Sequence, residues 1–277
     1  MHRFYKRSYE KNRFLALVLV AFLGVMLTSC ETESADASLI GSGSNNGGGN
    51  TVTAGDYYPL AIGNRWVSEF INQETGEIRI DTSKIVNTQI DNGKLYYLGN
   101  KNEGEEVMAD IGNRSVDKVR KENNTYYGKM DAFDRPPSGV SMGIRFSGTG
   151  DIIVLKQDLP VAGTWHNDYS YTFTNYHPML PQDQVITTAV SETHTILQRD
   201  QILTVKGHTY QNVIKVKMEQ VMTMSMSGMP ETANLTATIT TYTWYARNVG
   251  AIKSEVTLSG TSGSESIHSE LLSYIVN

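Results

Sequence analysis

The sequence predicts an all-β domain: a curved antiparallel sheet or partial barrel, with two related halves as one reading. Three observations predict it. From Asp56 onward, Thr, Val, Ile and Tyr alternate with polar residues at the period of two that a strand imposes. Turn residues punctuate these runs at short intervals. No window of about a dozen residues carries the i, i+3, i+4, i+7 apolar stripe of an amphipathic helix. The 222 residues from Asp56 to Asn277 fit one β domain or two small ones.

Each element has its own signal. KIVNTQI and KLYYLGN flank Asp91-Asn92-Gly93, whose residues tolerate positive φ, so they predict a hairpin. A second hairpin is expected to turn at Asn123-Asn124. Further strands are read in HNDYSYTFT, VSETHTILQRDQILTV, NVIKVKMEQVMTMSM, LTATITTYTWYA, GAIKSEVTLSG and SIHSELLSYIV. Residues 104–112 are the place for a short helix, and 131–137 read as an ordered loop. Two stretches echo each other: Pro59 to Trp66, and Leu159 to Trp165. In both, an apolar segment with Pro leads to Gly and then to a Trp heading a strand. Duplication of a half-domain and a repeated loop-to-strand solution both account for this.

The first thirty residues have a different character. Arg3, Lys6, Arg7, Lys11 and Arg13 precede an unbroken apolar run of 15 residues, Phe14 to Thr28. A spanning helix needs about 20 residues, whereas the apolar region of a signal peptide has about 7–15. Length therefore favours a signal peptide, residues 1–29, over an uncleaved anchor. The run ends in Leu27-Thr28-Ser29-Cys30, and Cys30 is the single cysteine of the chain. A lone cysteine in an exported protein has no disulfide partner. The stretch resembles the bacterial lipoprotein box, and that resemblance implies a mature chain beginning at a lipidated Cys30, palmitate included. The other reading is a free thiol. Several acyl chains on one cysteine give stable membrane anchoring, which a single chain does not.

Removing residues 1–29 takes five of 24 basic and one of 29 acidic residues, leaving a net charge of −9. Such a body lacks the basic footprint that nucleic-acid binding needs. It also lacks the charge for adhesion to anionic lipid, so the membrane contact falls to Cys30. Residues 30–55, with GSGSNNGGGN at their centre, read as a flexible tether to a single β-rich domain, 56–277. Glu31 after the cysteine, where Asp is associated with inner-membrane retention, points to the outer membrane. The periplasmic and cell-surface faces both stay open.

Three motifs carry a further resemblance. YYPLAIGNRWVSEF, VKGHTYQNVIKVKME at 205–219 and TWYARNVGAIKSE at 243–255 resemble motifs of exported Bacteroidota lipoproteins, the uncharacterised DUF3108/TapB-like group. The resemblance implies a curved antiparallel sheet or partial barrel. It carries over no catalytic residue.

No catalytic signature is present. His166, His177, His194, His208 and His268 show no zinc-ligand spacing, and there is neither a G-x-S-x-G elbow nor a phosphate-binding glycine loop. No catalytic residue, metal or cofactor is assigned. Asp131 and Asp134 lack the other oxygen ligands of a calcium loop. The run Met218 to Met229 puts Met218, Met222, Met224 and Met226 on one face of a strand, either as core or as a Cu(I) thioether site. Trp165, Tyr169, Tyr171 and Phe173 also share one face, ahead of a loop holding Met179 and Leu180. These six residues are the candidate ligand-binding set, with core filling as the alternative. The expectation is a lipid-anchored, non-enzymatic envelope module for an apolar or glycan ligand. A structural or assembly protein working through an exposed edge is the alternative, and a hydrolase with a dispersed site the third.

Overall fold

The computed structural model describes residues 55–99, 118–137, 142–148, 150–177, 182–228, 234–260 and 263–277. These contain strands and turns, with no helix among the described residues. The strands are β1 (Arg65–Asn72), β2 (Ile78–Asp91), β3 (Lys94–Gly99), β4 (Lys118–Glu122), β5 (Thr125–Lys129), β6 (Phe133–Arg135) and β7 (Gly143–Ser147). There follow β8 (Ile152–Lys156), β9 (Thr164–Tyr176), β10 (Gln184–Val205), β11 (His208–Met226), β12 (Leu235–Ala246), β13 (Gly250–Gly260) and β14 (Gly263–Ile275). They form one sheet in the order β6-β7-β9-β10-β11-β12-β13-β14-β1-β2-β3-β4-β5-β8. The strand pairings among the described residues are antiparallel, and its ends β6 and β8 do not pair with each other, so the sheet is open.

Both expected hairpins form. Asn92 and Gly93 have φ of 50° and 76°, and Asp91 pairs with Lys94 across the two-residue turn. Asn123 has φ 54° where Glu122 pairs with Thr125. LTATITTYTWYA and GAIKSEVTLSG coincide with β12 and β13. The stretch at 131–137 is not wholly a loop. Phe133 pairs with Phe146 and stacks on it at 5.6 Å, which draws Phe133–Arg135 into the short strand β6. The expected helix at 104–112 lies outside the described residues, as do Cys30, the signal segment and the tether up to residue 54.

The register fixes the concave face. Trp165, His194, Met218, Thr241 and Val256 are cross-strand neighbours in one row. Asn167, Glu192, Gln220, Ile239 and Leu258 form the next row, then Tyr169, Val190, Met222 and Ala237. Most of these positions are buried or half-buried, as one covered face of a sheet requires. Apolar clusters fill this face around Leu155, Trp165, Ile196 and Ile214, and around Val190, Met218, Met222 and Ile239. A separate cluster gathers Val205, Tyr210, Val213, Trp244, Ile252 and Leu271.

Strand β8 ends the sheet and lies against β9. The Asn167 amide donates to the Ile153 carbonyl at 2.9 Å and accepts from the Ile153 N–H at 2.9 Å. The Trp165 indole N–H donates to the same carbonyl at 3.2 Å. One side-chain amide thus makes the reciprocal pair of bonds that a neighbouring strand would make. The opposite end, β6, is three residues long and runs into Pro136 and Pro137. Both ends are blunted against the addition of another strand.

Candidate functional site

The concave face divides into a buried polar centre and a half-open apolar end. Glu192 sits at the centre, 1 % exposed. One carboxylate oxygen accepts from the Tyr169 hydroxyl at 2.6 Å and from the Gln220 amide at 2.7 Å. The other accepts from the Asn167 amide at 3.1 Å and lies 3.3 Å from His194 Nε2. The His194 ring stacks on Trp165 at 4.7 Å, with the planes 8° apart. Filling the lone pairs of a desolvated carboxylate with donors is what makes its burial tolerable. Glu192 and His194 stand together, but His194 is only 4 % exposed and Glu192 less. The cluster therefore organises the interior of the sheet.

The sequence reading passed over Glu192. The signal was available: Glu192 and His194 share strand parity with Val190 and Ile196, which marks them as inward-facing. A charged residue on the apolar face of a strand demands a partner set, and cross-strand Asn167 and Gln220 supply it.

The aromatic stripe splits along this boundary. Trp165 is 2 % exposed and belongs to the packed interior, and Tyr169 is tied to Glu192. Tyr171 and Phe173 are half-buried and continue the stripe beyond the polar centre. Tyr171 neighbours Thr188 and Met224 in register, and Phe173 neighbours Phe146 and Ile186, with Met226 and Phe133 next. Phe146 lies 5.0 Å from Phe173 and 5.8 Å from Tyr171, and Tyr171 meets Phe173 edge-on at 5.7 Å. Burial pushes the Tyr171 hydroxyl up, and Glu192 adds to the shift against a lowering hydrogen bond from Thr188. The result is an aromatic and thioether shelf in which Phe133, Tyr171, Phe173, Ile186, Met224 and Met226 are all half-buried. Met179 and Leu180 lie outside the described residues.

The methionine run divides in the same way. Met218 and Met222 are 6 % exposed and pack with Val190 and Ile239. Met224 and Met226 reach the shelf. Among the described residues, no three or more His, Cys, Asp or Glu side chains converge as a metal-ligand group. Asp131 and Asp134 go to separate partners, Lys118 at 3.0 Å and Arg145 at 3.2 Å.

Charge concentrates on the β3–β4–β5–β8 part of the sheet. Arg120 grips Asp151 at 2.8 and 3.1 Å, reaches Glu122 at 2.7 Å, and lies 3.9 Å over the Tyr127 ring. Burial works to raise the Asp151 carboxyl, but bonds from Tyr96, Arg120 and Lys94 hold it below the usual carboxylate range. These contacts satisfy one another, so this region reads as structural.

Neither a family model nor a curated protein matches the chain. The likeness to the DUF3108/TapB-like group therefore rests on the three motifs alone. Among solved structures, the chain is similar to a Bacteroides fragilis protein described as exported and as having a YmcC-like fold. The identity is 11%, the TM-score 0.35, and the match covers 80% of this chain and 99% of that one. It is also similar to a Parabacteroides distasonis protein described as a lipoprotein, at 14% identity and TM-score 0.30 over the same shares of the two chains. Neither bears on what this chain binds.

Proposed function

We propose that the protein is a lipid-anchored envelope module that binds an apolar ligand on the shelf at the open end of its concave face. The half-buried Tyr171, Phe173, Met224 and Met226 carry this reading. Aromatic rings give a rigid apolar platform, and methionine adapts to irregular apolar shapes. The shelf favours an acyl or similarly apolar group over a glycan, because rings and thioethers make up most of it and the Tyr171 and Thr188 hydroxyls bond to each other. The blunted ends of the sheet weigh against the alternative of an assembly protein recruiting partners by strand addition. Cys30, at the end of a signal-peptide pattern, would hold the module at the outer membrane.

Two experiments test the proposal. Replacing Cys30 by Ala moves the protein from the membrane to the soluble fraction; retention in the membrane refutes the anchor. The full mature chain carrying Cys30→Ala needs no detergent, so a fluorescent fatty acid can be titrated into it directly. Saturable binding is expected, weakened at least tenfold by Phe173→Glu or Met224→Glu. No binding, or binding indifferent to both changes, refutes the shelf.

A further inference from the structure

The three motifs that stood out in the sequence come from distant parts of the chain, and the fold brings them to one place. The first supplies Trp66, whose indole N–H donates to the Val249 carbonyl at 2.6 Å, and Tyr57, whose ring lies 5.6 Å under the Arg247 guanidinium. The second supplies Thr209 to Asn212, and the third Ala246 to Val249. With Tyr274 of β14, these last two line an open pocket of about 270 Å³. Asp56 and Gly55, where the described domain begins, bond to Asn248 on its rim at 2.6 and 3.3 Å.

The pocket differs in chemistry from the apolar shelf. Gln211, Asn212 and Asn248 bring amides, Tyr274 is half-buried, Tyr210 is 7 % exposed and belongs to the apolar cluster of Val205 and Val213, and Arg247 supplies the one charge of the lining. Asn212 and Asn248 both hold positive φ, 52° and 62°, which asparagine tolerates at turns. Arg247 is exposed, with its guanidinium carbon 5.6 Å from the centre of the Tyr57 ring. The N–H edge of that group is the fork that takes a carboxylate in two parallel bonds. A space just below the ordinary range for ligand pockets, roughly 300–1,000 Å³, suits one ring and no more.

We propose that this pocket, formed by the second and third motifs beside the first, binds a single sugar acid, its carboxylate on Arg247 and its ring and hydroxyls against Tyr274, Gln211 and Asn212. The site is separate from the shelf, and the assignment stands whether or not the shelf takes an acyl ligand.

The test uses the full mature, lipidated chain in detergent micelles, from which sugars are excluded. It is titrated calorimetrically with D-glucuronate, D-glucose and acetate. Glucuronate is expected to bind saturably, with glucose and acetate each at least fivefold weaker. Arg247→Gln should reduce glucuronate to the level of glucose. Because Arg247 also covers Tyr57, a second variant is needed that leaves that contact alone. Gln211→Trp, at an exposed strand position, fills the pocket and should abolish binding of both sugars while leaving the circular dichroism spectrum unchanged. Phe173→Glu should leave glucuronate binding intact. The proposal is overturned if wild type shows no saturable glucuronate binding, if binding survives both pocket variants, or if Phe173→Glu removes it.

Discussion

Two corners of the molecule, each headed by a tryptophan, are built on one backbone plan and put to different uses. At the first, Asn64 N–H bonds to Ala61 O, Gly63 N–H to Ile85 O, and Ile85 N–H to Asn64 O. At the second, Gly163 N–H bonds to Pro160 O, Ala162 N–H to Ile196 O, and Ile196 N–H to Gly163 O. Ile62 and Val161 occupy equivalent exposed positions, at 53 % and 54 %. In each, the indole N–H three residues after the positive-φ residue reaches a backbone carbonyl. The side chains then diverge. Asn64 is fully buried, donates to Pro59 O at 3.0 Å and accepts from the Asn277 N–H at 2.9 Å, so it fastens the end of the chain. Gly163, its counterpart, has no side chain, and a Cβ there would come within 2.9 Å of Leu159 Cβ and Pro160 O. The half-buried Trp66 secures the β12–β13 turn, whereas the buried Trp165 secures β8 and His194. Backbone hydrogen bonds set the corner, and the environment of one side chain decides what the corner holds.

The largest expected effect separates the two tryptophans. Trp165→Ala should cost about 3–5 kcal/mol in urea unfolding, the range for a buried aromatic. Trp66→Ala should cost about 2 kcal/mol, since the ring is only partly buried and the main loss is one hydrogen bond and some apolar area. Equal costs would mean that the corners carry the same load after all. Making the second corner resemble the first, Gly163→Asn, should cost about 1–3 kcal/mol through overpacking against Leu159 and Pro160. The converse change, Asn64→Gly, should cost a similar amount by leaving the Asn277 amide without its acceptor, and should release the C-terminal residue in NMR spectra.

The clusters on either side also answer alkali differently. Burial, with Tyr274 nearby, pushes Tyr210 up to about 12, whereas burial and Asp56 push Tyr126 higher still. A phenol raised on folding contributes stability that is whole below its unfolded value of about 10 and is lost as pH climbs through the folded value. The Tyr210 cluster should therefore loosen first, between pH 10 and 12, with phenolate absorbance from Tyr210 appearing before that from Tyr126. The smallest expected effects are at the turn residues. Gly63 has φ 92°, so Gly63→Ala should cost about 1 kcal/mol. Ala162 already tolerates φ 65°, and Ala162→Gly should change stability by less than about 0.5 kcal/mol, strain relief offsetting unfolded-chain entropy.

The likeness of the corners was visible as an apolar segment with Pro leading to Gly and then to Trp, a pattern that sets glycine against glycine. The fold sets Gly63 against Ala162 and Asn64 against Gly163, because hydrogen-bond position and not residue type defines equivalence. The long strands were legible for a physical reason: period-two alternation follows from burial of one face, and β9 to β14 obey it over many residues. The short strands β6, β7 and β8 were not, since three to five residues carry too few alternations. The shelf was half legible. Parity placed Tyr171 and Phe173 with Trp165, yet only the register shows that Met224 and Met226 continue the same surface. The pocket at Arg247 was not legible at all, because its parts lie on different strands and meet only through the order of the sheet.

The Asn167 amide, bonded both ways to Ile153, has a kinetic consequence. A ladder between strands is shared among many residues, and its opening is cooperative; a pair of side-chain bonds to one residue can open without the rest of the sheet. Strands β3, β4, β5 and β8 join the rest of the sheet through β2, and β8 is held against β9 by this amide, by the Trp165 indole on the same carbonyl, and by Leu155 packing with Trp165, Ile196 and Ile214. Native-state hydrogen exchange should find the Ile153 N–H, which is bonded to a side chain, opening at a lower free energy than the amides of β11, and Asn167→Ala should lower that free energy further.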